Sequence, residues 1–73
     1  MKEEFKIRTM GFGELAQMYN PGINPMSASN TLRRWINRNE RLHSALRHSG
    51  YRKHSKVLTP RQVGILIEFL GPP

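Results

Sequence analysis

Ala28, Leu32 and Ile36 recur every fourth residue within Ser27–Arg38, with Trp35 beside them. At about 100° per residue, the four fall within about 60° of Leu32. Ser27, Asn30, Arg34, Asn37 and Arg38 fall on the opposite side. A helix built this way buries one stripe against a neighbour and leaves amide, hydroxyl and guanidinium groups outside. That division suits a helix that reads a DNA major groove, and equally a basic surface helix.

Local signals place this helix among others. Asn24-Pro25 reads as an N-cap with proline at the first helical position, so the helix runs from about Pro25 to Arg38. Before it, GELAQMY forms a helix with Leu15, Ala16, Met18 and Tyr19 as its apolar residues, closed by the turn signal Asn20-Pro21-Gly22. Asn39 is placed to cap a third helix, NERLHSALRHS, with Leu42, Ala45 and Leu46 inward and Gly50 as its terminator. Tyr51–Leu58 is a basic loop that becomes strand-like at Lys56-Val57-Leu58. Thr59-Pro60-Arg61-Gln62 combines an N-cap, a proline at N1 and a capping box, and it opens a last helix over Arg61–Leu70. Phe5–Thr9 alternates apolar and polar residues, the pattern of a short half-buried strand or an ordered extended arm.

The expected fold is mainly α. It is one small domain over 1–73, with about four helices: a strand or arm at 1–10, a helical core at 11–50, a basic loop at 51–58 and a C-terminal helix at 59–71. A chain of 73 residues buries only roughly 60% of its unfolded surface, which leaves little room for an enclosed active site. Ile65 lies off the main stripe of the last helix and Phe69 at its margin. Either the N-terminal segment covers that side, or Ile65 and Phe69 form a homodimer surface.

Charge narrows the function further. The net charge is +7, and nine Lys or Arg fall between Arg33 and Arg61 against the single Glu40. Such a field points to a polyanion, with nucleic acid the foremost expectation and an acidic protein the alternative. The segment MKEEFKIR lacks the apolar core of a signal peptide, and no apolar run approaches membrane-spanning length, so the expected setting is the cytoplasm.

Little here suggests chemistry. There is no cysteine or aspartate, and His43 and His48 stand about 140° apart around a helix, so they cannot share a metal from one face. Ser44-His48 and His54-Ser55 have no orienting carboxylate at a recognisable spacing. Gly11 and Gly13 lack the glycine and lysine that complete a phosphate loop. The expectation is a binding protein with no catalytic residue, metal or cofactor.

Glu14-Leu15-Ala16, Tyr19, a turn, then Ser29 and Thr31-Leu32-Arg33-Arg34-Trp35-Ile36 resemble the helix-turn-helix of small DNA-binding modules. The connection from Asn20 to Asn24 is longer than the usual turn of about 3–4 residues. On that likeness Ser27, Asn30, Arg34 and Asn37 face base edges and Arg33 and Arg38 hold phosphates, while the charge pattern adds Arg41, Arg47, Arg52, Lys53 and Lys56 as further phosphate contacts. Tyr51 either stacks on a base of RNA or single-stranded DNA or tucks over the core, and Trp35 poses the same choice. Nearly the whole chain also resembles a family of short basic proteins of unknown function from Bacteroides-type bacteria. Gly13–Ala16, Ser27–Ser29, Arg34–Asn39, Gly50-Tyr51, Val57–Pro60 with Gln62-Val63, and Leu70-Gly71 carry that likeness. It implies a compact bacterial domain and no particular reaction.

Overall fold

The computed structural model describes residues 5–53 and 55–73. Its central element is α2 (Pro25–Arg38), which begins where the Asn24 side chain accepts the Ser27 N–H at 2.9 Å. Ala28, Leu32 and Ile36 are fully buried, as their spacing requires. The helix α1 (Phe12–Tyr19) packs on this stripe through Leu15 and Ala16, and the α1–α2 contact is the most extensive between any two helices. The long connection between them is tied down from α1. The Gln17 amide donates to the carbonyls of Asn20 and Ile23, at 3.0 and 2.6 Å.

One extended residue, Asn39, separates α2 from α3 (Glu40–His48). Its N–H donates to the Ile36 carbonyl, while its side chain accepts the Leu42 N–H at 3.1 Å. A single residue therefore ends one helix and starts the next, so α3 leaves α2 at an angle and brings Leu42 and Leu46 into the same core. The end of α3 is a Schellman turn. Gly50 adopts φ +96°, its N–H donates to the Arg47 carbonyl, and the Tyr51 N–H donates to the Leu46 carbonyl, both at 3.0 Å. This turn drives Tyr51 inward, where it is only 6% exposed and stacks on Phe12.

The last helix, α4 (Pro60–Leu70), opens with the expected reciprocal cap. The Thr59 hydroxyl accepts the Gln62 N–H, and the Gln62 side-chain oxygen accepts the Thr59 N–H. The Gln62 amide group also donates to the Ser49 carbonyl at 3.3 Å, which joins α4 to the end of α3. Buried Val63 and Leu66 complete the core.

The strand differs from the alternation seen in the sequence. Phe5–Thr9 is not paired; pairing starts at β1 (Met10–Gly11), antiparallel to β2 (Val57–Leu58), with Met10 opposite Leu58 and Gly11 opposite Val57. The reason is positional. The Phe12 N–H donates to the Lys56 carbonyl at 2.8 Å, so the ladder is anchored where α1 begins. Residues 5–9 instead form the extended arm. Phe5 packs against the core, Ile7 runs close to Gly64 of α4, and Arg8 pairs with Glu14 at 2.8 Å. The hydrogen bond from Arg8, then that from the Gly11 N–H, lowers the Glu14 pKa below the ordinary carboxylate value.

Replacing Gly50 by alanine is expected to cost about 1–2 kcal/mol, because a Cβ opposes the left-handed backbone there. Gly22→Ala has no positive φ and no atom in its way, so it is expected to leave stability unchanged or slightly raised. Urea unfolding of the two variants checks this, and equal losses would remove the Schellman turn as the reason for Gly50.

Candidate nucleic-acid interface

Within α2, Ser29, Arg33 and Asn37 form a second stripe at i, i+4 and i+8, along the border between the buried and outward faces. Arg33 is its fixed point. Its guanidinium lies over the Phe12 ring, 5.1 Å from the centroid, and donates to the Asn30 side-chain oxygen at 3.1 Å. A cation held on an aromatic face and by a neighbouring amide loses less freedom when it meets an anion than a free surface lysine does.

Arg33 stands between two open grooves. The larger, about 530 Å³, lies between α2, α3 and the segment after α3. Arg33 and Asn37 line one side, His43 and Arg47 the other, and Tyr51, Arg52 and Lys53 close it. His43 and Arg47 are i and i+4 on α3, so both point into the same space. Beyond Tyr51, the Arg52 N–H donates to the Ser55 hydroxyl and the Ser55 N–H donates to the Arg52 carbonyl, both at 3.0 Å, which fixes where the loop cations emerge. The smaller groove, about 370 Å³, is lined by Phe12, Gly13, Ser29, Arg33, Ser55 and Lys56. Among the described residues no carboxylate lines either groove.

The residues expected to touch nucleic acid are thus only partly gathered. Asn37, Arg33, Arg47, Arg52 and Lys53 meet in the larger groove, and Lys56 joins Arg33 in the smaller. Arg34, Arg38 and Arg41 are exposed but line neither groove. Ser27 is half-buried with its N–H engaged by the Asn24 cap, and the Asn30 oxygen is engaged by Arg33. Sequence reasoning gave no ligand contact to Gly13, Ser29, His43 or Ser55. The four-residue spacings of Ser29 with Arg33 and of His43 with Arg47 were the available signal.

Three further expectations find their places. Tyr51 is a wall of the groove, not a platform for a base, because the Schellman turn buries its ring. Trp35 is half-buried, edge-on to Tyr19 at 6.0 Å, and packs against the core. Ile65 packs partly on the core while Phe69 remains 38% exposed, and the arm at Ile7 passes beside Gly64. His54 lies outside the described residues.

A family model for a domain of unknown function matches residues 6–73. The chain belongs to that family, DUF4248. No curated protein and no solved structure matches it. The span matched by DUF4248 takes in every described residue that lines the two grooves.

Burial raises the Tyr51 pKa above the ordinary phenol value, and the nearby Arg33 opposes that rise without cancelling it. Burial raises Tyr19 as well. A phenol with a raised folded pKa contributes stability that is complete below its unfolded value and is lost as pH rises through the folded one. Ultraviolet titration should therefore show these two tyrosines ionising above the ordinary phenol range, with unfolding setting in on the same alkaline side. Two phenols titrating as free tyrosine would contradict the burial of both rings.

Proposed function

We propose that this DUF4248 protein binds DNA, with its basic grooves on the phosphate backbone and the outward face of α2 towards the bases. What carries the reading is the meeting of two grooves, with no carboxylate among the described residues that line them, at an Arg33 already held by Phe12 and Asn30, with Arg47, Arg52, Lys53 and Lys56 around it. Phosphodiesters are singly charged and regularly spaced, so a track of separate cations suits them better than one compact dianion.

The α1–α2 pair acts as a helix-turn-helix-like unit whose long connection is stiffened by Gln17. On this reading Arg34, Asn37, Ser27 and Asn30 face base edges, and Arg38 and Arg41 extend the phosphate contacts beyond the grooves. The protein works in a bacterial cytoplasm as a binding module without catalysis. A second copy, docked through Ile65 and Phe69, enlarges an interface that one small domain keeps short.

A protein-interaction role is the second reading, and one observation favours it. Met18, Ile23 and Met26, the last 75% exposed, cluster in sequence around the α1–α2 connection and leave apolar side chains in water. Methionine-rich surfaces adapt readily to protein partners.

Fluorescence anisotropy with labelled random-sequence duplex DNA, at about 50 and 200 mM salt, tests the first reading. Neutralising roughly 4–5 phosphates predicts a loss of affinity of about 150–500-fold across that range. Lys53→Ala should weaken all duplexes about equally, whereas Arg34→Ala should also relax any preference found by site selection. A stronger preference for RNA or single strands would move the ligand class. Absence of binding at the lower salt would overturn the nucleic-acid reading, and a partner captured from nuclease-treated lysate would then support the second.

A further inference from the structure

We infer that the smaller groove is a phosphate subsite in its own right, and that one DNA strand occupies it and the larger groove together, crossing Arg33 between them. The inference deepens the DNA-binding reading and rests on it. Its starting point is the chemistry of the groove. Arg33 and Lys56 supply two cations, Ser29 and Ser55 supply hydroxyl donors, and the Phe12 ring forms one side. That set matches a phosphodiester, a tetrahedral monoanion that takes charge-assisted and hydroxyl hydrogen bonds from several directions.

Gly13 keeps the groove open. A Cβ there would meet only the Ser29 hydroxyl oxygen, at 3.5 Å, so an alanine fits and a longer side chain would extend towards the space now empty. The position is therefore open because the residue is small, without any steric demand from the fold for glycine. Arg33 belongs to both grooves and, among the described residues, is the one that lines both. Held from Phe12 on one side and Asn30 on another, its guanidinium still presents further N–H donors, enough to serve a phosphate on each side. Ser29, Arg33 and Asn37 then mark the path of the strand along α2, from the smaller groove into the larger.

The test fills the groove without changing charge. In Gly13→Leu the side chain displaces the phosphate sterically, and in Gly13→Ala it does not. With the labelled random duplex at about 50 mM salt, Gly13→Leu should bind about tenfold more weakly than the wild type, and its salt slope should fall by about 0.9 for the phosphate lost. Gly13→Ala should lose clearly less than Gly13→Leu, because its side chain stops at ordinary contact with the Ser29 hydroxyl. Lys56→Gln and Arg61→Gln make the same charge change at exposed positions, but only Lys56 lines the groove. A subsite predicts a clearly larger loss for Lys56→Gln, and this pair decides the matter if Gly13→Leu does not fold. Adding Lys56→Gln to Gly13→Leu should cost little more, because both act on one phosphate.

Wild-type affinity and slope retained in folded Gly13→Leu would overturn the subsite and leave the DNA reading intact. Equal losses in Lys56→Gln and Arg61→Gln would do the same, since a bulk field does not distinguish them. If the wild type binds no duplex at the lower salt, both readings fall together.

Discussion

Asn39 is the residue on which the arrangement turns. Its backbone closes α2, its side chain opens α3, and no second residue intervenes to relax the angle between them. Because the joint is so short, the wall formed by His43 and Arg47 is held opposite that formed by Arg33 and Asn37. A flexible linker in its place would let α3 keep its apolar contacts with Leu42 and Leu46 while losing the register of its polar face. The groove is thus a product of helix capping as much as of core packing.

The packing of Phe12 and Tyr51 then links this geometry to charge. Tyr51 reaches the core because Gly50 reverses the chain, and it stacks on Phe12, whose ring also carries Arg33. An aromatic pair in a small domain is commonly just core. Here one ring supports a guanidinium and the other forms a wall of the groove beside it. Stability and the candidate interface therefore share the same residues, and a substitution at Phe12 would disturb both.

Much of the fold was readable locally. Asn24-Pro25, Asn39 and Thr59-Pro60-Arg61-Gln62 are helix starts written within four residues, and each holds in the structure. The sheet was legible only in part: Lys56-Val57-Leu58 reads as strand-like and β2 forms there, but its partner Met10–Gly11 lies across most of the chain and two residues carry no periodicity. Of the two readings of Phe5–Thr9, strand or extended arm, the arm is the one that forms. The contact of Gln62 with Ser49 was equally hidden, since a capping box accounts for the residue without a tertiary partner. On α2 the polar face was clear, but its useful edge depended on where α3 lay. Helical spacing alone favoured Arg34 and Asn30, directly opposite Leu32, over Ser29 and Arg33 at the border.

Both flanks of the chain close onto α1. β1 leads straight into α1 and pairs with β2, and the Tyr19 hydroxyl at its far end donates to the Gly71 carbonyl just past α4. Neither contact exists until the later segment is present. A nascent chain that has emerged only through α3 therefore has a core that lacks Leu58, Val63 and Leu66, and a β1 without its partner. Arg33, Arg34, Arg38, Arg41 and Arg47 thus emerge before the domain can shut, and the positive charge of α2 and α3 precedes the shape that would discipline it.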